Sequence, residues 1–362
     1  MSAPIAMIMA GGTGGHVFPA LALARALRAR SWQVVWLGTR RGIEARVVPA
    51  EQITMEWLGI SGLRGKGALA WLLAPFRLTR ALLEALRAVR RHRPNVVIGL
   101  GGFVSGPGGV ASWLLRRPLL IHEQNSIAGF TNRCLAHLAQ QVFCAFPDCF
   151  GDAVAARLIG NPVRSDIAAV LPPATRFANR QGAIRILIIG GSQGALKLND
   201  VVPQALALAA REATLDVWHQ SGERWLAQAQ ASYRAAQIKA RVTPFIEDMA
   251  EAYGWADLVI CRAGALTVAE LTAAGVGAVL VPFAAAVDDH QTFNARYLVE
   301  EGAALLVAES ELSAESLAHE LRPLCQGRGR LLALAERARL LARPHATEDL
   351  VAACLPYGRA AA

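Results

Sequence analysis

The sequence predicts an α/β protein built from two Rossmann-like, doubly wound parallel-sheet domains. Three observations carry this: a strand–turn–helix alternation through the first half, its restart near residue 184, and a glycine-rich turn after the opening strand of each half. Ile5–Ala10 reads as a short apolar strand, Gly11–His16 as a turn, and Phe18–Arg30 as a helix with Leu21, Leu23, Ala24 and Leu27 on its apolar face. Gln33–Leu37 is the next strand. A helix near Leu69–Arg91 then precedes the strands Val96–Leu100, Leu119–His122 and Gln141–Phe146. Strands alternating with helices of this length imply a parallel sheet covered on both faces.

Asn161-Pro162-Val163 is a breaker, and Leu171–Gly182 is rich in Pro and polar residues. The linker is expected there, with domains at 1–163 and 164–343. The second half opens with a strand at Ile184–Ile189, a turn at Gly190–Ala195 and a helix at Leu196–Arg211. Further strands are expected at Leu215–His219, Arg241–Phe245, Leu258–Cys261, Ala278–Val281 and Ala304–Val307. Leu331–Leu355 reads as helices interrupted near Pro344, and a C-terminal helix at about 344–362 is a candidate to pack back on the first domain.

Composition supports two sizeable cores: 362 residues, 54% apolar and only 18% charged. Six cysteines without CxxC or metal-type spacing read as buried, reduced thiols. The apolar start has no basic n-region and runs into Gly11-Gly12, so a first strand is expected rather than a signal peptide. No uninterrupted apolar run approaches the length of a membrane span. Charge is one-sided. Residues 1–163 hold 18 Lys and Arg against 7 Asp and Glu, a net +11, whereas residues 164–362 hold 19 against 21, a net −2. A field of this kind points to an anionic partner for the first half. No aromatic–basic recognition motif is present, so nucleic acid is not expected as that partner.

Gly11–His16, Gly101–Gly109 and Gly190–Ala195 each follow an apolar strand and open a helix. Glycines let an anionic group approach the main chain, and the following helix offers N–H groups and a positive dipole end. A nicotinamide site is excluded: Val17 stands where a third glycine is needed, and the second strand runs into Leu37-Gly38-Thr39-Arg40 with no acid. A P-loop is excluded because no turn ends in Gly-Lys-Ser/Thr. In Cys261–Glu270, Gly264 frees a strand-to-helix turn, Thr267 can donate to a phosphate oxygen, and Glu270 can accept two ribose hydroxyls.

The glycine turns, His122-Glu123-Gln124-Asn125, Gly160–Arg164, Cys261–Glu270 and Asp289–Ala295 together resemble the MurG-type N-acetylglucosaminyltransferases of bacterial peptidoglycan synthesis. The likeness runs in order from about residue 5 to 300. It implies the two-domain glycosyltransferase-B fold with its active site in the interdomain cleft. It also implies inverting transfer of N-acetylglucosamine from UDP-N-acetylglucosamine to the 4-hydroxyl of the muramyl residue of lipid I, giving lipid II. The competing readings are a UDP-N-acetylglucosamine 2-epimerase of the same fold and a non-catalytic binder of nucleotide sugars or lipid pyrophosphates.

Carried over residue by residue, the resemblance implies donor contacts from Thr13, Gly14, Gly15, Asn125, Arg164, Ser192, Ile246, Ala265, Leu266, Thr267, Val268, Ala269, Glu270 and Gln291. In it Ile246 frames the uracil, Glu270 holds the ribose, Ser192 and Thr267 suit the pyrophosphate, and Gln291 holds sugar hydroxyls. The acceptor pyrophosphate would meet Gly14, Gly15, His16, Ser105 and Gly106. No cofactor or metal is expected, since helix dipoles can offset leaving-group charge and no Asp-x-Asp motif occurs. His16, at a helix start where the dipole favours a neutral imidazole, is the first candidate for the general base, and Glu123 is the alternative. The other role open to His16 is hydrogen bonding to the acceptor phosphate or the turn.

A polyprenyl acceptor requires access to a bilayer. Trp71, Leu72, Leu73 and Phe76, ringed by arginines, and Trp113 beside Arg116-Arg117 are expected to meet an anionic leaflet, whereas Leu82, Leu83 and Leu86 are expected in the core. The implied location is peripheral, on the cytoplasmic face of the bacterial inner membrane.

Overall fold

The computed structural model describes residues 3–60, 73–191, 194–286 and 289–358. They form two α/β units: one ends at Val163 and takes back the residues from Pro344 onward, and the other is Arg164–Arg343. The first unit carries β1 (Ile5–Met9), α1 (Gly14–Arg28), β2 (Gln33–Gly38), α2 (Glu44–Ala50), β3 (Thr54–Trp57), α3 (Ala74–His92) and β4 (Val96–Gly99). It continues through α4 (Ser105–Leu114), β5 (Leu119–Glu123), α5 (Phe130–Ala136), β6 (Gln141–Cys144) and β7 (Arg157–Leu158). These strands make a 7-stranded parallel sheet in the order β3-β2-β1-β4-β5-β6-β7. Successive side chains of β1 enter opposite cores: Ala6 and Ile8 pack with Leu23, Leu27 and Trp36, and Met7 and Met9 with Val97, Leu119 and Ile121. Because both faces are covered, the central strands are apolar almost without interruption.

The second unit opens with the short helices α6 (Ser165–Ala168) and α7 (Pro173–Phe177), then β8 (Ile184–Ile189), α8 (Leu196–Ala209), β9 (Leu215–Gln220), α9 (Leu226–Ala235) and β10 (Arg241–Thr243). It closes with α10 (Met249–Trp255), β11 (Leu258–Cys261), α11 (Ala265–Ala274), β12 (Ala278–Leu280), α12 (His290–Glu300), β13 (Ala304–Leu306), α13 (Ala314–Cys325) and α14 (Arg328–Leu340). Its 6-stranded parallel sheet has the order β10-β9-β8-β11-β12-β13. The last helix, α15 (Ala346–Gly358), belongs to the first unit: Leu350, Val351 and Cys354 are buried in its core, and Asn95 Nδ2 donates to the Tyr357 carbonyl at 3.2 Å.

Each sheet reverses its strand order once, between β1 and β4 in the first unit and between β8 and β11 in the second. Open parallel sheets hold ligands beyond the carboxyl ends of strands at such a reversal. The turns after β1 and β4 are Gly11–Thr13 and Gly101–Val104, and those after β8 and β11 are Gly190–Ala195 and Arg262–Gly264. The glycine turns therefore come in two pairs, one per unit.

Three expectations require correction. Leu171–Gly182 is not a linker but part of the second unit. Phe177 lies in that unit's core, the Arg176 guanidinium donates to the carbonyls of Leu171, Ala274 and Gly275, and Arg180 pairs with buried Asp257. Leu83 is exposed, because Ala81, Ala85, Ala88 and Val89 take the core face of α3; Leu82 and Leu86 are partly buried. Cys134 is exposed, while the other five cysteines are buried.

Asp257 shows how firmly this segment is held. Its carboxylate accepts from Arg180, from Arg328 Nε at 3.2 Å and from the Arg185 N–H at 3.0 Å, and it has no exposure to solvent. Removing one member of a buried, hydrogen-bonded ion pair strands the others and costs about 3–5 kcal/mol. Asp257→Ala should lower the unfolding free energy from urea denaturation followed by circular dichroism by that amount, and a value equal to wild type would show that the cluster is dispensable.

Candidate active site

In the first unit the two paired turns touch backbone to backbone. Gly102 has φ +83°, and a Cβ there would stand 2.4 Å from the Gly11 carbonyl oxygen. Gly101, at φ +98°, is the floor for the His16 ring: a Cβ would stand 2.6 Å from His16 Nδ1. Any side chain at either position would part the turns or evict the imidazole. Thr13 is exposed as the N-cap residue of α1, and Gly14, Gly15 and His16 form its half-buried first turn.

A carboxylate that the sequence did not flag supports the first turn. Glu44 is fully buried and accepts from the Gly12 N–H at 3.0 Å, the Thr39 N–H at 3.0 Å and the Thr39 hydroxyl at 2.7 Å. A single Glu among the arginines after β2 carries no local signal of that role.

The segment after β5 is a buried polar network. Glu123 is saturated: Oε1 accepts from the Asn125 N–H at 2.9 Å and Nδ2 at 3.2 Å, and Oε2 from the Gly129 N–H at 3.2 Å and Asn132 Nδ2 at 2.8 Å. His122 is buried, its Nε2 lies 2.9 Å from the Gly160 carbonyl, and loss of hydration pushes its pKa down to about 4. Gln124 lies between the two histidines, with Nε2 3.0 Å from His122 Nδ1 and Oε1 2.8 Å from His16 Nδ1. Ser105 turns away from this surface. It is buried, and its hydroxyl donates to the Gly101 carbonyl at 3.0 Å, which leaves the backbone at half-buried Gly106 as the part of the α4 start open to a ligand.

On α3 and α4 of this unit, Phe76 is 75% and Trp113 51% exposed, with Leu73, Leu78 and Leu114 also on the surface. Arg77, Arg80, Arg87 and Arg90 share the outer side of α3. Trp71 and Leu72 lie outside the described residues. No described helix is long and apolar enough to cross a membrane.

In the second unit the turn after β8 packs on the main chain that follows β9, its neighbour on the other side from β11. Gly194, at φ +74°, lies against β9: a Cβ would stand 2.1 Å from the Ser221 carbonyl oxygen. Below it, Asn199 Nδ2 donates to that carbonyl at 3.1 Å, His219 Nε2 lies 2.9 Å from Asn199 Oδ1, and His219 Nδ1 lies 2.9 Å from the Tyr233 hydroxyl. Ser192 is outside the described residues. After β11, Gly264 caps α11 with extended backbone and no side chain, so Ala265, Leu266 and Thr267 form the first turn of a helix N-terminus. Val268 and Ala269 follow in the helix, Val268 buried and Ala269 half-buried.

Glu270 sits one turn into α11, and Oε2 accepts from the Tyr253 hydroxyl at 3.0 Å. Loss of hydration raises its pKa to about 7, against the lowering pull of the Tyr253 hydrogen bond and the Arg164 guanidinium. Arg164 also faces Asp166 at 3.7 Å. Gln291, in the first turn of α12, accepts from the Phe283 N–H at 3.0 Å, which fixes its amide. Ile246 is buried after β10. Arg262 pairs with Glu309, which also accepts from the Ala284 N–H at 2.8 Å and ties the loop after β12 to the turn after β11. The first unit thus groups Thr13, Gly14, Gly15, His16, Gly106 and the Glu123–Asn125 loop, and the second groups Thr267, Glu270 and Arg164 around α11. Tyr253 and Gln124 were not singled out in the sequence.

Residues 6–144 match the glycosyltransferase family 28 N-terminal domain and residues 185–350 the glycosyltransferase family 28 C-terminal domain. The chain is 57% identical over 349 residues to the UDP-N-acetylglucosamine--N-acetylmuramyl-(pentapeptide) pyrophosphoryl-undecaprenol N-acetylglucosamine transferase of Marinobacter nauticus, covering 96% of each chain. The protein of that description from Nitrosococcus oceani is 56% identical over 349 residues, 96% of this chain and 97% of its own. Among solved structures, Acinetobacter baumannii MurG is similar at a TM-score of 0.86 and 41% identity, covering 98% of this chain and 99% of that one. With such identity along nearly the whole length, the chain belongs to glycosyltransferase family 28, among its MurG-type N-acetylglucosaminyltransferases.

Proposed function

We propose that this protein transfers N-acetylglucosamine from UDP-N-acetylglucosamine to the 4-hydroxyl of the muramyl residue of lipid I, forming lipid II. Besides family membership, the observation that carries this reading is the pair of glycine turns at each strand-order reversal, one pair per unit. Both substrates are pyrophosphates, and each pair opens onto helix N-termini suited to one. The pair in the basic first unit suits the lipid pyrophosphate, and the pair beside Glu270 suits UDP.

In the reaction the acceptor oxygen attacks the anomeric carbon as the bond to UDP breaks, inverting that centre. The hydroxyl proton passes to a base, and the negative charge grows on the leaving phosphate. His16 is the base in this reading. Glu123 is the weaker candidate because four donors already hold its carboxylate. The first turn of α11, with Thr267, stabilises the departing phosphate, Glu270 and Arg164 hold the nucleoside end, and Gln291 holds the sugar. Phe76 and Trp113, among arginines, seat the first unit on the anionic cytoplasmic face of the inner membrane, where the acceptor resides.

Incubation with radiolabelled UDP-N-acetylglucosamine and a lipid I analogue should place label in the lipid product, and none, beside an active control enzyme, would overturn the activity. In that assay His16→Ala should lower kcat by about 10²–10⁴-fold with the donor KM within about twofold. Near-normal turnover would remove His16 as base.

A carboxylate accepts ribose hydroxyls fully only when ionised, and the Glu270 pKa lies near 7, so donor affinity should fall as pH drops through about 7. Calorimetric Kd for UDP should weaken by up to about tenfold per pH unit below that point. Glu270→Gln should bind weakly with the Glu270 contribution to the pH dependence gone, and a wild-type pH profile in that variant would release Glu270 from the ribose.

Phe76→Ser with Trp113→Ser should reduce sedimentation with anionic liposomes while soluble-donor binding is kept. Unchanged sedimentation would place the membrane contact elsewhere.

A further inference from the structure

The hydrogen bonds that end at His16 begin at two carbonyl oxygens, and carbonyls can only accept. Gly160 O, 2.9 Å from His122 Nε2, requires the hydrogen of that ring to be on Nε2, and His122 Nδ1 is then an acceptor. Gln124 Nε2 lies 3.1 Å from the His122 carbonyl and 3.0 Å from His122 Nδ1. Each of these contacts separately demands the NH2 end of the amide, so the Gln124 orientation is fixed twice over. Its Oε1 must then face His16 Nδ1, at 2.8 Å, and an amide oxygen accepts only.

We propose that His122 and Gln124 are positioning residues that hold His16 as the tautomer with hydrogen on Nδ1, leaving the Nε2 lone pair to receive the acceptor's proton. This rests on the reading of His16 as base. In water a neutral histidine side chain favours the opposite tautomer, with hydrogen on Nε2 and the lone pair on Nδ1. That form would set two acceptors against each other at Gln124 and offer no lone pair at Nε2. The ring nitrogen that acts is chosen by the bond the other makes. In Ser–His–Asp enzymes a carboxylate makes that choice, and here a neutral amide does so, itself oriented by a buried histidine. Burial keeps His122 neutral down to a pH of about 4, so its Nδ1 remains an acceptor through the working range. Gln124 and His122 are both closed to solvent, and Asn161 Nδ2 donates to the Gln124 carbonyl at 3.0 Å, so the chain has a rigid seat. Gly101 completes it by leaving the ring the room to lie against the second turn.

The test uses the full chain labelled with 15N-histidine, with the His16 signals assigned by their loss in His16→Ala. Two-bond 1H–15N correlation spectra of wild type should show His16 protonated on Nδ1 and bare on Nε2. Gln124→Met, which keeps shape but removes both hydrogen-bonding ends, should abolish that preference. It should also lower kcat by about tenfold or more, with the donor KM within about twofold. Gln124→Glu, protonated on the oxygen that faces His122, keeps a donor for that histidine and an acceptor for His16, and should keep kcat within a few-fold of wild type at a pH low enough to hold that proton. A purely structural role predicts the reverse order, since a buried carboxyl is worse tolerated than Met. Hydrogen on Nε2 in wild type, or Glu no better than Met, overturns the positioning role. Near-normal turnover of His16→Ala with the Nδ1 tautomer observed overturns the base and leaves the hydrogen-bond chain standing, so the two failures are told apart. Should Gln124→Met not fold, the wild-type tautomer and the Gln124→Glu rate decide the matter.

Discussion

The contact on which the first unit's site depends is the one between Gly102 and the Gly11 carbonyl. With 2.4 Å between that oxygen and where a Cβ would sit, the two turns approach too closely for any side chain at Gly102. The approach follows from the sheet: β1 and β4 pair in register, Met9 opposite Gly99, and diverge into helices on leaving the sheet. Two helix N-termini are thereby brought side by side, and His16 is laid on Gly101 between them. In the second unit the close approach lies on the other side of the central strand: the turn after β8 meets the chain after β9, with Gly194 against the Ser221 carbonyl. A tight turn of this kind does not hold itself. In each unit buried polar groups grip it from below: Glu44, Gln124 and His122 in one, Asn199, His219 and Tyr233 in the other.

Glu44 is the least expected of these, a buried carboxylate directly beneath a turn assigned to anions. Its charge is met by two N–H groups and a hydroxyl. Bonds to a charged acceptor are about twice as strong as neutral ones, so the turn is gripped harder than an amide could manage. The Gly12 N–H spent on Glu44 is withdrawn from any ligand. The phosphate-facing donors are then those of the first turn of α1, beyond Thr13, which sharpens the division between the part of the loop that anchors and the part that binds.

The fold was legible because covered parallel strands are almost wholly apolar: each strand read from the sequence is present, and the two not read, β3 and β7, are edge strands. β3 is the half-buried Thr54–Trp57 and β7 the two-residue Arg157–Leu158, neither carrying an apolar run. Leu171–Gly182 reads as a linker because Pro and polar residues usually signal exposed loops, whereas here Arg176 and Arg180 are buried by carbonyls and a carboxylate distant in sequence. Leu83 was misplaced because alanines, weak signals in a periodicity, form the core stripe of α3. In the site, motifs marked which segments matter but not how they are wired. His16 and Gln124 are 108 positions apart, and Glu44 and Gly12 are 32 apart. Only the pairing of β1 with β2 on one side and with β4 and then β5 on the other makes them neighbours.

Burial moves the pKa values of His122 and Glu270 in opposite directions, and both effects follow from loss of water. His122 is driven towards its neutral form, which a fixed hydrogen-bond chain needs, because an imidazolium there would set its Nδ1–H against the donor end of Gln124. Glu270 is driven towards its neutral form too, but only to about 7, because Tyr253 and Arg164 pull the other way. A carboxylate left poorly hydrated but still ionisable gains more from two incoming hydroxyls than one already satisfied by water. The structural group is therefore locked in one protonation state while the binding group is held near the midpoint between two. That difference separates the part of the site that must not respond to ligand from the part that must.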